Sequence, residues 1–551
     1  MRQRLTVVGL IVLLLLGVVG PAGADESPAG RFARVDSYVR EQLERTRAPG
    51  SAYAVISGED VAHRRTWGRD GNGASITPRT PFLVGSVAKP VTAMAVMRLV
   101  EQGRIRLDDP VRAYLPWFRP SGEGGERVTV RHLLNQTSGI SEREGLERSD
   151  KGDNEPGGVQ RRARSLDGVP LSGLPGERHR YSAANFMLLG AVVEKVTGRP
   201  FGDHLTREIL RPLGMAGTIT DAATAERRDL APGHRYYFGR PQRHGPAFDT
   251  SGVPYGYLGA SLEDMSRFAA VQLGATQGVL SPRGIRQMHT GTVPVSGSQR
   301  YGLGWRDDSF DDLGVRTVWH GGATPAYQAI VVLAPEKRLA VVIQQNIYGR
   351  QNDDLLVAAG LGALRILLGA DPEPGATASW YWRALATLVA VAALLGAALA
   401  WSLVRLVRPR RGRARSRRRV LVGGVLAVTA CLSLAAAASY LAPELMGVGL
   451  RQVRLFAPDV GQLLIAVTAL GCALAVLRAA VTVRALREAT GGEGGGRAVS
   501  RPVRARAAAS AGTGGTPLPS TAGSACPRRS AWSPGRRWPA GGRRARGTGA
   551  P

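Results

Sequence analysis

Lysine is nearly missing from this chain. Of its 72 basic residues, Lys89, Lys151, Lys195 and Lys337 are the lysines and the rest are arginine. Each remaining lysine therefore carries weight, because a desolvated ammonium can lose its proton and act as a base, whereas a guanidinium effectively cannot. Cysteine is scarcer still. Cys431, Cys472 and Cys526 all lie late in the chain, and the region before residue 380 has none. Disulfides therefore play no part in stabilising that region. Metal-ligand spacing is also lacking: no His-Glu-x-x-His and no Cys-x-x-Cys occurs, which disfavours a metalloenzyme. Acidic residues are outnumbered, and the net charge is +29. About three-quarters of that excess follows residue 380. A basic excess beside apolar runs points to a membrane partner, and no nucleic acid is expected.

The ends of the chain are organised accordingly. Met1-Arg2-Gln3-Arg4, the apolar run Leu5–Val19 and the small-x-small site Ala22-Gly23-Ala24 predict a signal peptide over residues 1–24, with an uncleaved anchor as the alternative. Residues 384–404, 420–442 and 460–483 are each apolar and long enough to cross a bilayer of about 30 Å, which predicts three transmembrane helices within 380–485. Their uniform Ala/Val/Leu content, without polar faces, argues against buried core helices. Trp380, Tyr381, Trp382 and Trp401 fall where an interfacial aromatic belt would lie. The Arg-rich loop 405–419 predicts a cytoplasmic position, which puts everything before Trp380 outside the cell and the C-terminus inside. Asp459 and Arg478 crowd the ends of the third span and shorten its apolar centre. From residue 490 to 551 the composition turns to Gly, Arg, Ala, Pro and Ser, and a disordered tail is expected.

Between these ends, residues 30–370 are enough for one large domain or two modest lobes. Helical patterns cover 32–46, 185–198 and 354–368, the second with an apolar face of Met187, Leu188, Ala191, Val192 and Val196. Residues 52–57 read as a strand, and 328–334 with 339–343 as a hairpin around Pro335-Glu336-Lys337-Arg338. Strands near both ends around a helical middle predict an α+β fold in which the two ends share one sheet.

The chemistry gathers at three places. Ser86-Val87-Ala88-Lys89 precedes the helix-favouring run Val91–Val100, and it is the one Ser-x-x-Lys in the chain. On a helix, positions i and i+3 share a face, so Ser Oγ and Lys Nζ come within hydrogen-bond reach. A helix start there would also favour a developing oxyanion. The plainer alternative makes Ser86 a helix cap and Lys89 a surface charge. Tyr181, at the end of the loop 175–182, is a candidate proton carrier or a packed aromatic. His320-Gly321-Gly322-Ala323 precedes the hairpin, where glycines would let a substrate approach backbone N–H groups.

Ser-Val-Ala-Lys, Tyr181-Ser182 and His320-Gly321-Gly322, in this order, resemble the serine hydrolases related to class C β-lactamases, a group that includes DD-peptidases and esterases. Leu107-Asp108-Asp109-Pro110-Val111, Tyr114-Leu115-Pro116, residues 132–139, Pro212-Leu213-Gly214-Met215 and Tyr301-Gly302-Leu303-Gly304-Trp305 support the likeness over about residues 30–365. The resemblance implies a β-lactamase/transpeptidase-like fold, an antiparallel sheet flanked by helices beside an all-helical lobe, with the site between them. It implies Ser86 as the acylated nucleophile, Lys89 and Tyr181 as proton carriers, and His320 in the place of the lysine of Lys-Thr-Gly. The N–H groups of Ser86 and Ala323 would form the oxyanion hole, with Gly321 and Gly322 beside the substrate and no cofactor. One departure stands out. The family's Tyr-x-Asn reads Tyr181-Ser182-Ala183 here, which removes a polar partner for a substrate amide and shifts the expectation from β-lactams toward esters. The chain is thus expected to be a membrane-anchored extracytoplasmic hydrolase of an ester or cell-wall peptide-like substrate. The alternative is a sensor that binds penicillin or wall fragments without turnover.

Overall fold

The computed structural model describes residues 27–245, 248–274, 278–373, 375, 379–408 and 416–491. The expected signal peptide, residues 409–415 of the basic loop, and the expected tail beyond 491 lie outside the described residues.

One antiparallel sheet of eight strands organises the region before the apolar helices. In chain order these are β1 Gly50–Ser57, β2 Asp60–Gly68, β3 Val293–Ser296, β4 Gln299–Tyr301, β5 Arg306–Phe310, β6 Val315–Thr324, β7 Tyr327–Ala334 and β8 Leu339–Gln345. Their spatial order is β2-β1-β8-β7-β6-β5-β4-β3. The two ends of the domain do meet in one sheet, since Ser51 pairs with Gln345 and Ser57 with Leu339. The expected hairpin is β7–β8, and Arg338, in the left-handed region at φ 52, closes its turn.

Both faces of the central strands are covered, which is why these strands read as continuous apolar runs. Successive side chains nevertheless go to opposite faces. Ala52, Ala54 and Ile56 of β1, with Val331, Leu333 and Val342, join the main core. Tyr53 and Val55, with Ile330, Val332, Val341 and Ile343, join a second core on the other side.

Helix α1 (Pro28–Thr46) covers that second face together with the helix over Asp353–Leu367. Helices α2 (Ala88–Glu101), α3 (Glu142–Arg148) and α4 (Ala183–Thr197) belong to the helical lobe on the main-core side. α5 is Asp353–Leu367. The second-face core is closed by Val35, Val39 and Leu43 of α1 against Ala359, Ala363 and Leu364 of α5. Ser27 caps α1 through Gly30 N, with Pro28 in the first turn where its missing N–H costs nothing.

Three long apolar helices follow: α6 (Ser379–Val407), α7 (Arg417–Ala436, continuing helically to Leu445) and, after the short α8 (Leu450–Phe456), α9 (Pro458–Gly491). All three are long and apolar enough to cross a membrane. Asp459 does not cut the third one short. It sits at the helix start, where a carboxylate is favoured, buried and accepting from Phe238 N at 2.7 Å and from the Tyr381 hydroxyl.

Candidate active site

Ser86 lies in a single tight turn, Gly85–Val87, that runs directly into α2. Gly85 has a φ of +56, and a Cβ there would stand 2.1 Å from Ala323 N. The turn is pressed against β6, and only glycine tolerates both the conformation and the approach. Gly322 is the reciprocal position: a Cβ would fall 2.2 Å from Val84 O and 2.5 Å from Ser86 N. β6 pairs with β5 only as far as Trp319, while it stays paired with β7 to Thr324. From His320 onward its other side therefore has no strand neighbour among the described residues, and it is this free edge that meets the serine turn.

Lys89 is no surface charge. It is 1% exposed, and its Nζ donates to Ser86 Oγ at 2.8 Å and to the Tyr255 carbonyl at 2.8 Å. Thr92, one position short of a turn further along α2, donates to Pro254 O at 2.8 Å, so the 253–257 segment is fastened to the same helix face. Tyr181 lies over the lysine, with Nζ 5.0 Å from its ring centroid, and Phe186 of α4 flanks it at 5.7 Å.

His320 shares with Gly322 the β6 face turned toward the serine turn, whereas a Cβ on Gly321 would meet Val357 of α5. The imidazole is 2% exposed. Its Nδ1 faces the Gly321 carbonyl at 2.7 Å and its Nε2 the Tyr301 hydroxyl at 3.1 Å. A carbonyl can only accept, so Nδ1 carries the proton and Nε2 accepts from Tyr301. Burial, reinforced by Lys89 and Arg306, holds the histidine well below its ordinary pKa, so it is neutral. Its ring lies 6.3 Å from that of Tyr181, and no hydrogen bond joins the two. His320 thus meets this group through Tyr301 and ring packing, with no hydrogen bond to Ser86 or Lys89.

The structure brings Ser86, Lys89, Tyr181, His320 and the Gly321–Ala323 strand edge into one place. It adds members to which the sequence assigned no role. Tyr301 belongs to a stretch noted only for its likeness; burial, then the neighbouring Tyr181, raises its phenol. His179, tilted at 5.0 Å from Tyr301, is pulled to about 4 by burial and then by Arg306. Glu142, first residue of α3, has its carboxyl raised by desolvation, opposed by Arg350, Lys89 and Arg306. The Tyr255 carbonyl carries no side-chain signal that a sequence could reveal. Asn185 is buried and engaged within the protein: it accepts from Ser138 Oγ at 2.5 Å and donates to Gln136. It does not replace the asparagine whose place Ala183 takes.

The family model described as Beta-lactamase matches residues 35–362, the stretch that holds every one of these groups. The chain belongs to the beta-lactamase family. This family of serine hydrolases spans esterase and penicillin-binding relatives, so the family name does not specify the reaction. Protein flp of Staphylococcus aureus (strain N315) is 25% identical over 320 residues, covering 57% of this chain and 63% of the relative. Esterase EstB of Burkholderia gladioli is 34% identical over 237 residues, covering 40% of this chain and 59% of the relative. The chain therefore spans about six-tenths of the length of these relatives. Among solved structures, the octameric penicillin-binding protein homologue from Pyrococcus abyssi superposes with a TM-score of 0.54 at 28% identity, over 62% of this chain and 78% of the other. Membership in the beta-lactamase family fits the sheet order, the helical lobe and the serine turn between them.

Proposed function

We propose that this chain is a membrane-anchored serine hydrolase that works outside the cytoplasm through an acyl-enzyme on Ser86, with an ester as the preferred substrate class. The observation that carries this is the contact between Ser86 Oγ and Lys89 Nζ at 2.8 Å, with the lysine desolvated and Tyr181 above it. In acylation, Ser86 Oγ bonds to the substrate carbonyl carbon while its proton passes to the Lys89–Tyr181 pair. The N–H groups of Ser86 and Ala323, presented side by side by the turn and the free strand edge, take the developing oxyanion. The C–O bond to the leaving group then breaks, and the proton returns to the departing alkoxide. Water repeats the sequence on the acyl-enzyme and releases the acid.

Two features favour esters over amides. Ala183 offers no amide partner, and Asn185 is engaged inside the protein. A relative at 34% identity is itself named an esterase. A cell-wall peptide remains the second substrate class, in keeping with the penicillin-binding homologue from Pyrococcus abyssi.

The full chain, reconstituted in nanodiscs, tests this with short-chain nitrophenyl esters and a fluorescent penicillin. Ester turnover that vanishes in Ser86→Ala is the expected result. Stable penicillin labelling without turnover would favour a sensor. If neither turnover nor labelling occurs, both ideas fall. Sidedness is tested by a reporter fused after Arg419, which should report cytoplasm; an external signal there would overturn the proposed topology.

A further inference from the structure

The carbonyl that holds Lys89 is connected, through hydrogen bonds and short backbone segments, to the loop between the second and third apolar helices. In that loop α8 leans on the catalytic domain. Arg451 Nη1 donates to Asp150 O at 3.0 Å, and Nη2 donates to Ser149 O at 2.8 Å and Leu146 O at 3.3 Å. The neighbouring Gln452 also donates to Leu146 O. These acceptors lie at the C-terminal end of α3, where intrahelical donors run out and a cation is favoured. Arg143, in the first turn of the same helix, bonds Glu444 at the end of the second apolar helix.

Asp150 is the next link. Its backbone is left-handed at φ 55, a conformation that costs energy for a residue with a Cβ and persists only when its surroundings impose it. Its carboxylate accepts from the Tyr257 hydroxyl at 2.5 Å and from Ser149 Oγ. Tyr257 lies two residues beyond Tyr255, whose carbonyl receives Lys89 Nζ at 2.8 Å. The far end of α3 returns to the same place, since Glu142 is within electrostatic reach of Lys89.

We propose that Arg451 is a positioning residue for the Ser86 chemistry. By fixing the end of α3 and the left-handed Asp150, it sets the place of the Tyr255 carbonyl and hence of Lys89 Nζ. The membrane part is then a working component of the site and more than an anchor. This rests on the serine-hydrolase function proposed above.

The test uses the full chain in nanodiscs and the variants Arg451→Ala, Arg451→Lys, Tyr257→Phe and the double variant Arg451→Ala/Tyr257→Phe. Three quantities are read: the rate of Ser86 labelling by a fluorophosphonate, kcat and KM for a short-chain ester, and hydrogen exchange of residues 148–152 and 253–257. Arg451→Ala should lower labelling and kcat about tenfold with KM nearly unchanged, since sub-ångström misplacement of a reacting group costs rate more than binding. Exchange should rise at both segments. Arg451→Lys should recover part of the rate, because it keeps the charge and loses the fork. The double variant should be no slower than the slower single variant, as expected of two links in one path. A wild-type chain that does not label refutes the serine nucleophile itself. A labelling wild type with an equally fast Arg451→Ala refutes only the role of Arg451, as does strictly additive loss in the double variant. Unchanged exchange at 253–257 in Arg451→Ala overturns the linkage whatever the labelling shows.

Discussion

Gly322→Ala is the sharpest perturbation the site offers. The added Cβ would lie 2.2 Å from Val84 O, 2.5 Å from Ser86 N and 2.6 Å from Val87 N. All three are backbone atoms, so no side chain can swing aside. To reach ordinary contact, β6 and the serine turn must separate by roughly 1 Å, given that packed carbon contacts optimise near 3.5 Å. Overpacking of this kind costs about 1–3 kcal/mol of stability. The larger effect is on rate, because the same shift carries Ala323 N away from Ser86 N. Losing one oxyanion donor costs about 10²–10³-fold in turnover. The assay is kcat/KM for a short-chain ester together with Tm, on the full chain. Gly321→Ala calibrates the stability arm, because its Cβ meets only Val357 at 3.5 Å and Trp319 at 3.9 Å, both ordinary contacts. A Gly322→Ala protein with kcat/KM within threefold of wild type and an unchanged Tm would refute the idea that the strand edge and the serine turn form one oxyanion site.

Other expectations concern separate parts of the molecule. Lys89→Arg should lower ester turnover by about 10²–10⁴-fold, as loss of a general base does, and should still fold; wild-type turnover would remove lysine from the mechanism. Arg162→Ala breaks an ion pair to Asp249 whose side chains are 7% and 1% exposed. It should cost about 3–5 kcal/mol, read as a lowered unfolding midpoint. His289 and His179 are pulled to about 3 and about 4, both chiefly by burial. Each is neutral in the folded protein, so the unfolded chain takes up protons first as pH falls below the ordinary value near 6.5. Stability should therefore decline from about pH 6.5 down toward those values, and His289→Gln, keeping a partner for Gln272, should flatten the decline in Tm against pH. Asp459→Ala removes the acceptor for Phe238 N and the Tyr381 hydroxyl. Each lost partner leaves a donor worth about 1–3 kcal/mol, so the Tm of the full chain should drop while Ser86 labelling of the folded protein persists.

The features that could be read from sequence are those in which local pattern and tertiary role coincide. The runs 328–334 and 339–343 are apolar because both sheet faces are covered, and they appear as β7 and β8 with one or two residues added at the ends. The helices expected over 32–46, 185–198 and 354–368 appear within a few residues of those bounds. Ser86 and Lys89 were legible because Ser-x-x-Lys spacing is itself a geometric statement. What escaped was carried by backbone or by distant partners. Tyr255 contributes a carbonyl, which any residue type possesses. Tyr301 reaches His320 across β4 and β6, strands whose neighbourhood no local pattern announces. Asp459 looked like an interruption of an apolar run because its partners, Phe238 and Tyr381, are far away in sequence.

Placing β1 beside β8 also has a kinetic consequence. Ser51 must find Gln345, and the turn at Gly85 must find Ala323, before the sheet or the site exists. Pairings so remote in the chain make folding slow, because loop closure must be suffered before any contact rewards it. The serine is synthesised early but acquires its strand edge only when residues beyond 320 arrive. A nascent chain therefore carries Ser86 before the β6 edge that packs against its turn exists. The serine turn and its strand edge come together only with completion of the last strands, close to where the apolar helices begin.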